Sequence, residues 1–162
     1  SDGLEIPFEW VARLGDGLMA GTVQGSPRKP HIFSSGPDFD PPADFVRYYS
    51  KSDLVEALNA EGVRIKVQRQ DNYDEGALVF WSRLARAALV RTRALAVGEE
   101  RELGSDRWLL RGTRDVGGEA LAYLLVIVRE KKRVYTFEAW GPKEAFERSA
   151  EALIASAKSL EK

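Results

Sequence analysis

The chain has 162 residues, which suits one domain with one hydrophobic core. Its hydrophobic fraction of 44% and charged fraction of 30% are typical of a folded protein. The 24 basic and 25 acidic side chains nearly cancel, so no overall field attracts nucleic acid and we expect no nucleic-acid partner. The absence of cysteine excludes disulfides, thiolate metal sites and cysteine nucleophiles.

The longest apolar run, 120–128, is far shorter than the roughly 20 residues of a membrane-spanning helix, so we expect no transmembrane segment. The chain begins at Ser1 without an initiator methionine. This start fits a mature form from which a signal peptide or a lipid-anchor segment has been removed, and a trimmed cytoplasmic protein is the alternative. We therefore predict one globular domain over residues 1–162, with a possible lipid anchor upstream.

The first elements in chain order are predicted as two short strands. Leu4 to Trp10 mixes apolar and acidic residues around a proline, which favours an edge strand or an extended lead-in. Gly15 and Gly17 indicate a turn, and Leu18 to Val23 then forms a second strand that closes a hairpin.

A long loop follows over Gln24 to Pro42. It contains five of the seven prolines of the chain, which are Pro27, Pro30, Pro37, Pro41 and Pro42. Loops of this length are uncommon in compact domains and are often functional or mobile. The segment is therefore the first place to look for a site.

The region from Pro42 to Gly62 is predicted as one helix, broken near Ser50. Proline is favoured in the first helical turn, and Phe45 and Tyr49 follow at helical spacing. Glycine is a common helix end, which places the end at Gly62.

The next two elements are predicted as a strand and a helix. Val63, Ile65 and Val67 alternate with polar residues, which predicts a strand with one buried face. Between Asp74 and Arg91 the apolar residues recur at helical spacing, so a helix is predicted there; a strand over Ala77 to Trp81 is the alternative.

The last third predicts three strands and a helix. Arg107 to Arg114, Glu119 to Val128 and Arg133 to Trp140 are separated by short turn segments, so they form an antiparallel meander. The middle strand is apolar on both faces, which is typical of a sheet that is covered on both sides. Phe146 to Leu160 carries one apolar stripe and forms the last helix. The predicted fold class is α+β, a three-layer α/β/α sandwich with a mainly antiparallel central sheet.

Catalytic and metal-binding residues are scarce. His31 is the only histidine, so a Ser-His-Asp triad requires it, yet no Gly-x-Ser-x-Gly sequence occurs. The alternative for His31 is an ordinary exposed loop residue. A zinc site would need at least two carboxylate ligands here. We therefore predict no enzyme, no metal and no cofactor, with His31 kept as a candidate binding residue.

Three aspartates cluster at the end of the long loop. Asp38, Asp40 and Asp44 place carboxylate oxygens near one another, as calcium sites do, but the spacing lacks the glycine and distal glutamate of an EF-hand. A helix cap at Asp40 and plain solvation are the alternative. Asp38 and Asp40 stay as candidate binding residues.

Residues 76–98 contain no acidic side chain, and Arg83 and Arg86 lie among their basic ones. This surface is a candidate for binding an acidic partner protein or lipid headgroups. The alternative is a solvated helix face that Glu99, Glu100 and Glu102 neutralise. Trp10, Trp81, Trp108 and Trp140 either line a ligand cavity or fill the core.

The C-terminal half resembles the PsbP-like α/β/α sandwich, a superfamily that includes bacterial lipoproteins and secreted domains. The resemblance is carried by the meander ending at Phe137, by Gly141-Pro142, by the helix Phe146 to Leu160 and by its Ser159-Leu160 close. It implies a periplasmic or otherwise extracytoplasmic accessory domain without catalysis. A helix-grip ligand binder is the competing fold, and a second helix layer on the opposite sheet face distinguishes the sandwich.

We therefore predict a non-enzymatic extracytoplasmic domain whose partner is another protein. The alternative is a small-molecule binding protein of helix-grip type with an aromatic-lined pocket.

Overall fold

The computed structural model describes residues 8–19, 36–72 and 74–160. Within these ranges the chain forms one seven-stranded sheet with helices on both faces. The elements are α1 (Phe8–Arg13), a 3₁₀ turn (Asp16–Leu18), β1 (Val46–Lys51), β2 (Leu54–Leu58), β3 (Arg64–Asp71), α2 (Leu78–Thr92), β4 (Ala96–Gly104), β5 (Arg107–Val116), β6 (Glu119–Arg129), β7 (Arg133–Pro142) and α3 (Lys143–Lys158).

The strand order is β1-β2-β3-β7-β6-β5-β4, and every neighbouring pair is antiparallel. Two meanders, β1 to β3 and β4 to β7, join where β3 lies beside β7. At that junction Val67 is opposite Phe137, and Phe137 is opposite Val126. Side chains alternate across a strand, so this register places all three on the same face.

Each face of the sheet has its own hydrophobic core. One core lies beneath α3 and includes Phe137, Phe146 and Leu153. The other lies beneath α2 and includes Trp81 and Leu125. The structure thus confirms the α+β sandwich, and its second helix layer distinguishes it from the helix-grip fold.

Strand β6 shows why both layers are needed. Its side chains from Leu121 to Val128 are all buried. Ala122, Leu124, Val126 and Val128 belong to the core under α3. The intervening residues belong to the core under α2. The prediction of a strand covered on both faces is confirmed.

The predicted C-terminal helix is also confirmed. In α3 the side chains of Phe146, Ala150, Leu153 and Ala157 are buried, whereas Glu147 is exposed. The helix is docked at its end as well. The Ser156 hydroxyl donates to the Asp40 carbonyl at 2.6 Å, and the Asp40 backbone N–H donates to the Ser159 hydroxyl at 2.8 Å.

The predicted helix over Pro42 to Gly62 is wrong. This region forms the β1–β2 hairpin, with Ser52 and Asp53 in the turn. A bulge at Tyr48 interrupts the alternation of β1. A bulge shifts the period-two pattern by one residue. Aromatic residues three and four apart then give the pattern of a helix.

Strand β4 was not predicted, because four of its nine residues are charged and most of its residues are exposed. Glu99, Glu100 and Glu102 lie on this edge strand, where only partly buried Val97 and Leu103 pack against the cores. Its pairing with β5 creates the strand. Charged side chains are common on edge strands because they disfavour pairing with other chains.

The N-terminal strand predictions are also wrong within the described residues. Phe8 to Trp10 lie in α1, and Leu18 lies in the 3₁₀ turn. The predicted turn at Gly15 is confirmed, with a left-handed backbone conformation at φ 74°. The other residues of these two predicted strands lie outside the described residues, as do 24–35 of the predicted loop. Residues 36–42 of that loop form no helix or strand.

Candidate functional site

The sheet face that carries α1 and α2 changes from apolar to polar along one row of paired residues. Helix α2 packs on β5 and β6, and α1 packs on α2. Beneath α2 the row begins at Leu125, which lies opposite Glu138. Glu138 lies opposite Lys66, and Lys66 lies opposite Glu56. Glu56 lies opposite Tyr49 on β1. Strands β1 to β3 therefore present polar side chains on this face.

This polar half forms an open pocket of about 540 Å³, which we call the recess. Its volume lies within the range of roughly 300–1,000 Å³ that is common for ligand pockets. Four cationic and two acidic residues line it. The lining residues are Arg13, Asp16, Tyr49, Lys51, Ser52, Asp53, Leu54, Lys66, Gln68 and Arg69.

Arg69 stabilises the rim of the recess. Its guanidinium donates to the Ser52 carbonyl at 2.5 Å and to the Asp53 carboxylate at 3.3 Å. Its backbone N–H also donates to the Asp53 carbonyl at 3.0 Å. These contacts hold the β1–β2 turn against β3. Arg69 and Asp53 form an ion pair, so Asp53 offers the recess little net negative charge.

Residues 8–18, which comprise α1 and the 3₁₀ turn and which we call the α1 segment, form another side of the recess. Arg93, the residue after α2, ties this segment to α2. The Arg93 side chain donates to the Leu14 carbonyl at 2.9 Å and to the Ala12 carbonyl. It also pairs with the Asp16 carboxylate at 2.6 Å. Gly17 fits closely beneath Trp140, because a Cβ at this position would lie 2.2 Å from the indole ring.

A buried pair, Tyr123 and Glu138, lies next to the recess. The Tyr123 hydroxyl donates to the Glu138 carboxylate at 2.5 Å, and the Gly15 backbone N–H donates to the same carboxylate at 2.8 Å. Burial raises the pKa of Glu138. The charge of nearby Lys66 and the hydrogen bond from Tyr123 act to lower it. Burial and the Glu138 charge raise the pKa of Tyr123 well above its usual value.

This pair is the described group that most resembles an acid–base centre, but it does not line the recess. The Glu138 side chain is 2% exposed, and its hydrogen bonds join β7 to β6 and to the α1 segment. A catalytic acid or base must come within hydrogen-bond reach of the reacting group. The geometry therefore gives the pair a structural role in holding the α1 segment on the sheet.

The predicted site residues do not come together at the recess. His31 lies outside the described residues. Asp38 and Asp40 are exposed on either side of buried Phe39. The predicted helix cap at Asp40 is wrong, because no helix begins there.

Arg83 and Arg86 are exposed on α2. Arg86 pairs with Glu100 on β4 at 2.9 Å. Arg86 is therefore neutralised by one of the acidic residues that follow α2. This was the alternative to a binding surface.

The tryptophans serve the core under α2. Trp10, Trp81 and Trp108 are buried there, and Trp140 packs against the same core. Trp10 and Trp81 meet edge to face with centroids 5.3 Å apart. Of the described residues that line the recess, Tyr49 alone is aromatic. This part of the lining differs from the aromatic-lined pocket of the small-molecule alternative.

No group of three histidine, cysteine, aspartate or glutamate side chains in the described ranges is arranged to hold a metal ion. Among the helices described, none has the length and apolar character needed to cross a membrane.

The comparisons with known proteins agree with this architecture. No protein-family model matches the chain, and no curated protein matches it significantly. Among solved structures, cyanobacterial PsbP (CyanoP) from Synechocystis sp. PCC 6803 matches with a TM-score of 0.56 and 12% identity, over 85% of this chain and 95% of that one. This likeness concerns the fold alone. The chain has a PsbP-like α/β/α sandwich fold.

Two further structures are less similar. LpqN, involved in cell envelope biogenesis of Mycobacterium tuberculosis, matches with a TM-score of 0.43 and 14% identity over 85% of this chain and 83% of that one. PA94 from Pseudomonas aeruginosa, a protein of unknown function and putative regulator, gives a TM-score of 0.48 and 10% identity over 78% of this chain and 83% of that one.

Sequence reasoning missed every residue of the recess lining as a site residue. One signal was available, because Lys66 and Gln68 alternate with Ile65 and Val67 and therefore share the polar face of a strand. A polar strand face in a sheet with helices on both sides indicates a part of the sheet that the helices do not bury. The β1 contribution was hidden, because that region was predicted to be helical.

Proposed function

We propose that this chain is a non-enzymatic accessory domain that binds another protein outside the cytoplasm, and that the recess receives this partner. The observation that carries the proposal is the recess itself, a pocket of about 540 Å³ lined by charged and polar side chains. Ligand-binding sites are commonly concave, whereas a solvated sheet face needs no concave shape.

The setting of the recess supports a role in binding. Its rim is held by Arg69 on the β1–β2 turn and by Arg93 on the α1 segment. Sites that are supported by such contacts keep their shape before the partner arrives, which lowers the entropy cost of binding. The adjoining acid–base pair is sealed beneath α1, which favours binding over catalysis.

The extracytoplasmic location is proposed because the resemblance to PsbP-like secreted domains implies it. A lipid anchor upstream of Ser1 and a single domain over residues 1–162 belong to the same proposal. Subcellular fractionation with an antibody against the chain tests the location. We expect the protein to separate from a cytoplasmic marker enzyme, and co-fractionation with that marker contradicts this part.

Site-specific photocrosslinking in cells tests the role of the recess. A benzoylphenylalanine at Tyr49 places the crosslinker in the recess, and one at Glu151 places it on the exposed side of α3. We expect a discrete protein adduct from position 49 that position 151 does not give. The same adduct from both positions, or no adduct from position 49, contradicts the proposal.

A small-molecule binding protein is the second candidate, because the volume of the recess also suits a small ligand. This function predicts that extracytoplasmic metabolites raise the melting temperature of the wild-type chain more than that of a Tyr49→Trp variant, whose larger side chain narrows the recess. Stabilisation of the wild type alone, without a protein adduct at position 49, favours this candidate.

A further inference from the structure

The charges of the recess are not balanced within its lining. Among the described lining residues four are cationic and two are acidic, and both acidic residues are already paired. Asp53 pairs with Arg69 on the rim, and Asp16 pairs with Arg93 of the α2 layer at 2.6 Å. The described lining therefore has more cationic than acidic side chains.

Besides Arg69, the cationic residues of the described lining are Arg13 and two lysines, Lys51 and Lys66. We consider the two lysines here. Neither forms an ion pair with another residue in the part of the chain that the structure describes. Lys51 is exposed at the end of β1, and Lys66 is partly buried on β3. The two ammonium groups thus line the same pocket from two different strands.

Two buried acidic residues, Glu56 and Glu138, lie opposite Lys66 on the neighbouring strands, and the Lys66 charge acts to lower the pKa of Glu138. Glu56 is 7% exposed and accepts a hydrogen bond from the Tyr48 hydroxyl at 2.9 Å. Glu138 is engaged by Tyr123 and by the α1 segment. Neither carboxylate lines the recess. An anion that enters from outside meets the two lysines first.

The edge of the sheet suggests the form of this anion. Strand β1 is the first strand of the sheet and supplies Tyr49 and Lys51 to the recess. An extended segment that runs along an edge strand places alternate side chains on one face. Because β3 is the third strand from this edge and strands lie about 4.8 Å apart, such a segment must also cross the recess for its acidic side chains to approach Lys66 as well as Lys51. Tyr49 offers a surface for their aliphatic parts.

We propose that the recess binds an extended acidic segment of the partner protein, with Lys51 and Lys66 contacting its carboxylates. This inference rests on the proposed function and names the chemistry of its partner.

Direct binding is measured by amide chemical-shift mapping with a tetraglutamate peptide on the full chain. We expect the shifts to cluster around Tyr49, Lys51 and Lys66, and to decrease as salt is added, because exposed ionic contacts are screened. A tetraglutamine peptide should cause no such shifts. Shifts spread over the whole surface, or none in the recess, overturn the inference.

Charge variants identify the lysines. Lys51→Gln with Lys66→Gln removes both lysine charges of the recess, and Lys143→Gln with Lys158→Gln removes two exposed charges from α3 as a matched control. We expect at least a tenfold weaker peptide affinity for the first pair and less than a twofold change for the second. Equal effects of the two pairs overturn the inference. Circular dichroism and urea denaturation establish that both proteins are folded.

Two outcomes separate this inference from its alternatives. If free succinate binds the recess as tightly as the peptide, the recess is a site for small anions and the acidic segment is refuted. If the position-49 adduct persists at full yield in the Lys51→Gln, Lys66→Gln background, the partner is bound without these lysines. The proposed function then stands and the inference fails. Absence of the adduct in the wild type overturns the proposed function itself.

Discussion

Replacing Tyr123 by phenylalanine removes one of the two hydrogen bonds that the buried Glu138 carboxylate accepts, at 2.5 Å from Tyr123 and 2.8 Å from Gly15. The ring keeps its volume, so no cavity forms. A hydrogen bond to a charged group contributes about 1.5–3 kcal/mol, and one between neutral groups about 0.5–1.5 kcal/mol. We therefore expect the free energy of unfolding to fall by about 1.5–3 kcal/mol at a pH where Glu138 is ionised.

The loss should depend on pH. Burial raises the pKa of Glu138 in the folded state above its ordinary value of 4.5, and the hydrogen bond from Tyr123 opposes this rise. The folded state therefore holds the Glu138 proton more tightly than the unfolded state does. Stability from this group falls as the pH rises between the two pKa values. Phenylalanine raises the folded pKa further, so the loss is largest above the folded pKa, where Glu138 is ionised, and shrinks to about 0.5–1.5 kcal/mol below it, where Glu138 is protonated.

Urea denaturation of the wild type and the variant from pH 4.5 to 7.5 measures both effects. Tyr135→Phe is the matched control, because Tyr135 is also buried but lies on the opposite face of the sheet. Its hydroxyl has no hydrogen bond among the described residues, so we expect a change of about 0.5 kcal/mol or less. A loss for Tyr123→Phe that is absent, or equal at every pH, refutes the charged hydrogen bond.

Three further predictions are measured by urea denaturation at neutral pH. Phe146→Ala should lower the free energy of unfolding by about 3–5 kcal/mol, because it leaves a cavity under α3. Exposed Glu147→Ala should change it by about 0.5 kcal/mol or less. Equal midpoints of the two variants would show that α3 does not pack as described. Asn72→Ala should cost at least about 1–3 kcal/mol, because it leaves the buried Trp81 indole N–H, now 3.1 Å from the amide oxygen, without an acceptor; a neutral change contradicts this. Gly112→Ala should cost about 1–3 kcal/mol, because its Cβ would lie 2.4 Å from a backbone oxygen of β4, and an unchanged midpoint would mean that β4 and β5 are not so close.

The confirmed predictions share a physical origin. The strand β6 and the helix α3 are predictable from local sequence. A strand buried on both faces needs a run of apolar residues, and a helix buried on one side needs apolar residues at helical spacing. In α3 the buried residues recur from Phe146 to Ala157 at the helical period. Such elements are fixed by local composition, so the sandwich and its C-terminal order were predictable.

The errors share an origin as well. The bulge at Tyr48 disturbs the alternation of β1, and the acidic strand β4 has little apolar content of its own. Both are edge strands, and each is held by pairing with one neighbour. Their structure depends on hydrogen bonds to residues distant in sequence, which local pattern does not record.

By itself, the sequence determined the layer architecture, because hydrophobic periodicity over 107–160 specifies a covered sheet and a docked helix. It also displayed the polar face of β3 through Lys66 and Gln68. Only the tertiary structure decided the recess, because its walls come from α1, the β1–β2 hairpin and β3, and their side chains meet only when the strands pair. A pocket is lined by residues that are distant in sequence. Its net charge depends on which acidic side chains form ion pairs in the folded chain.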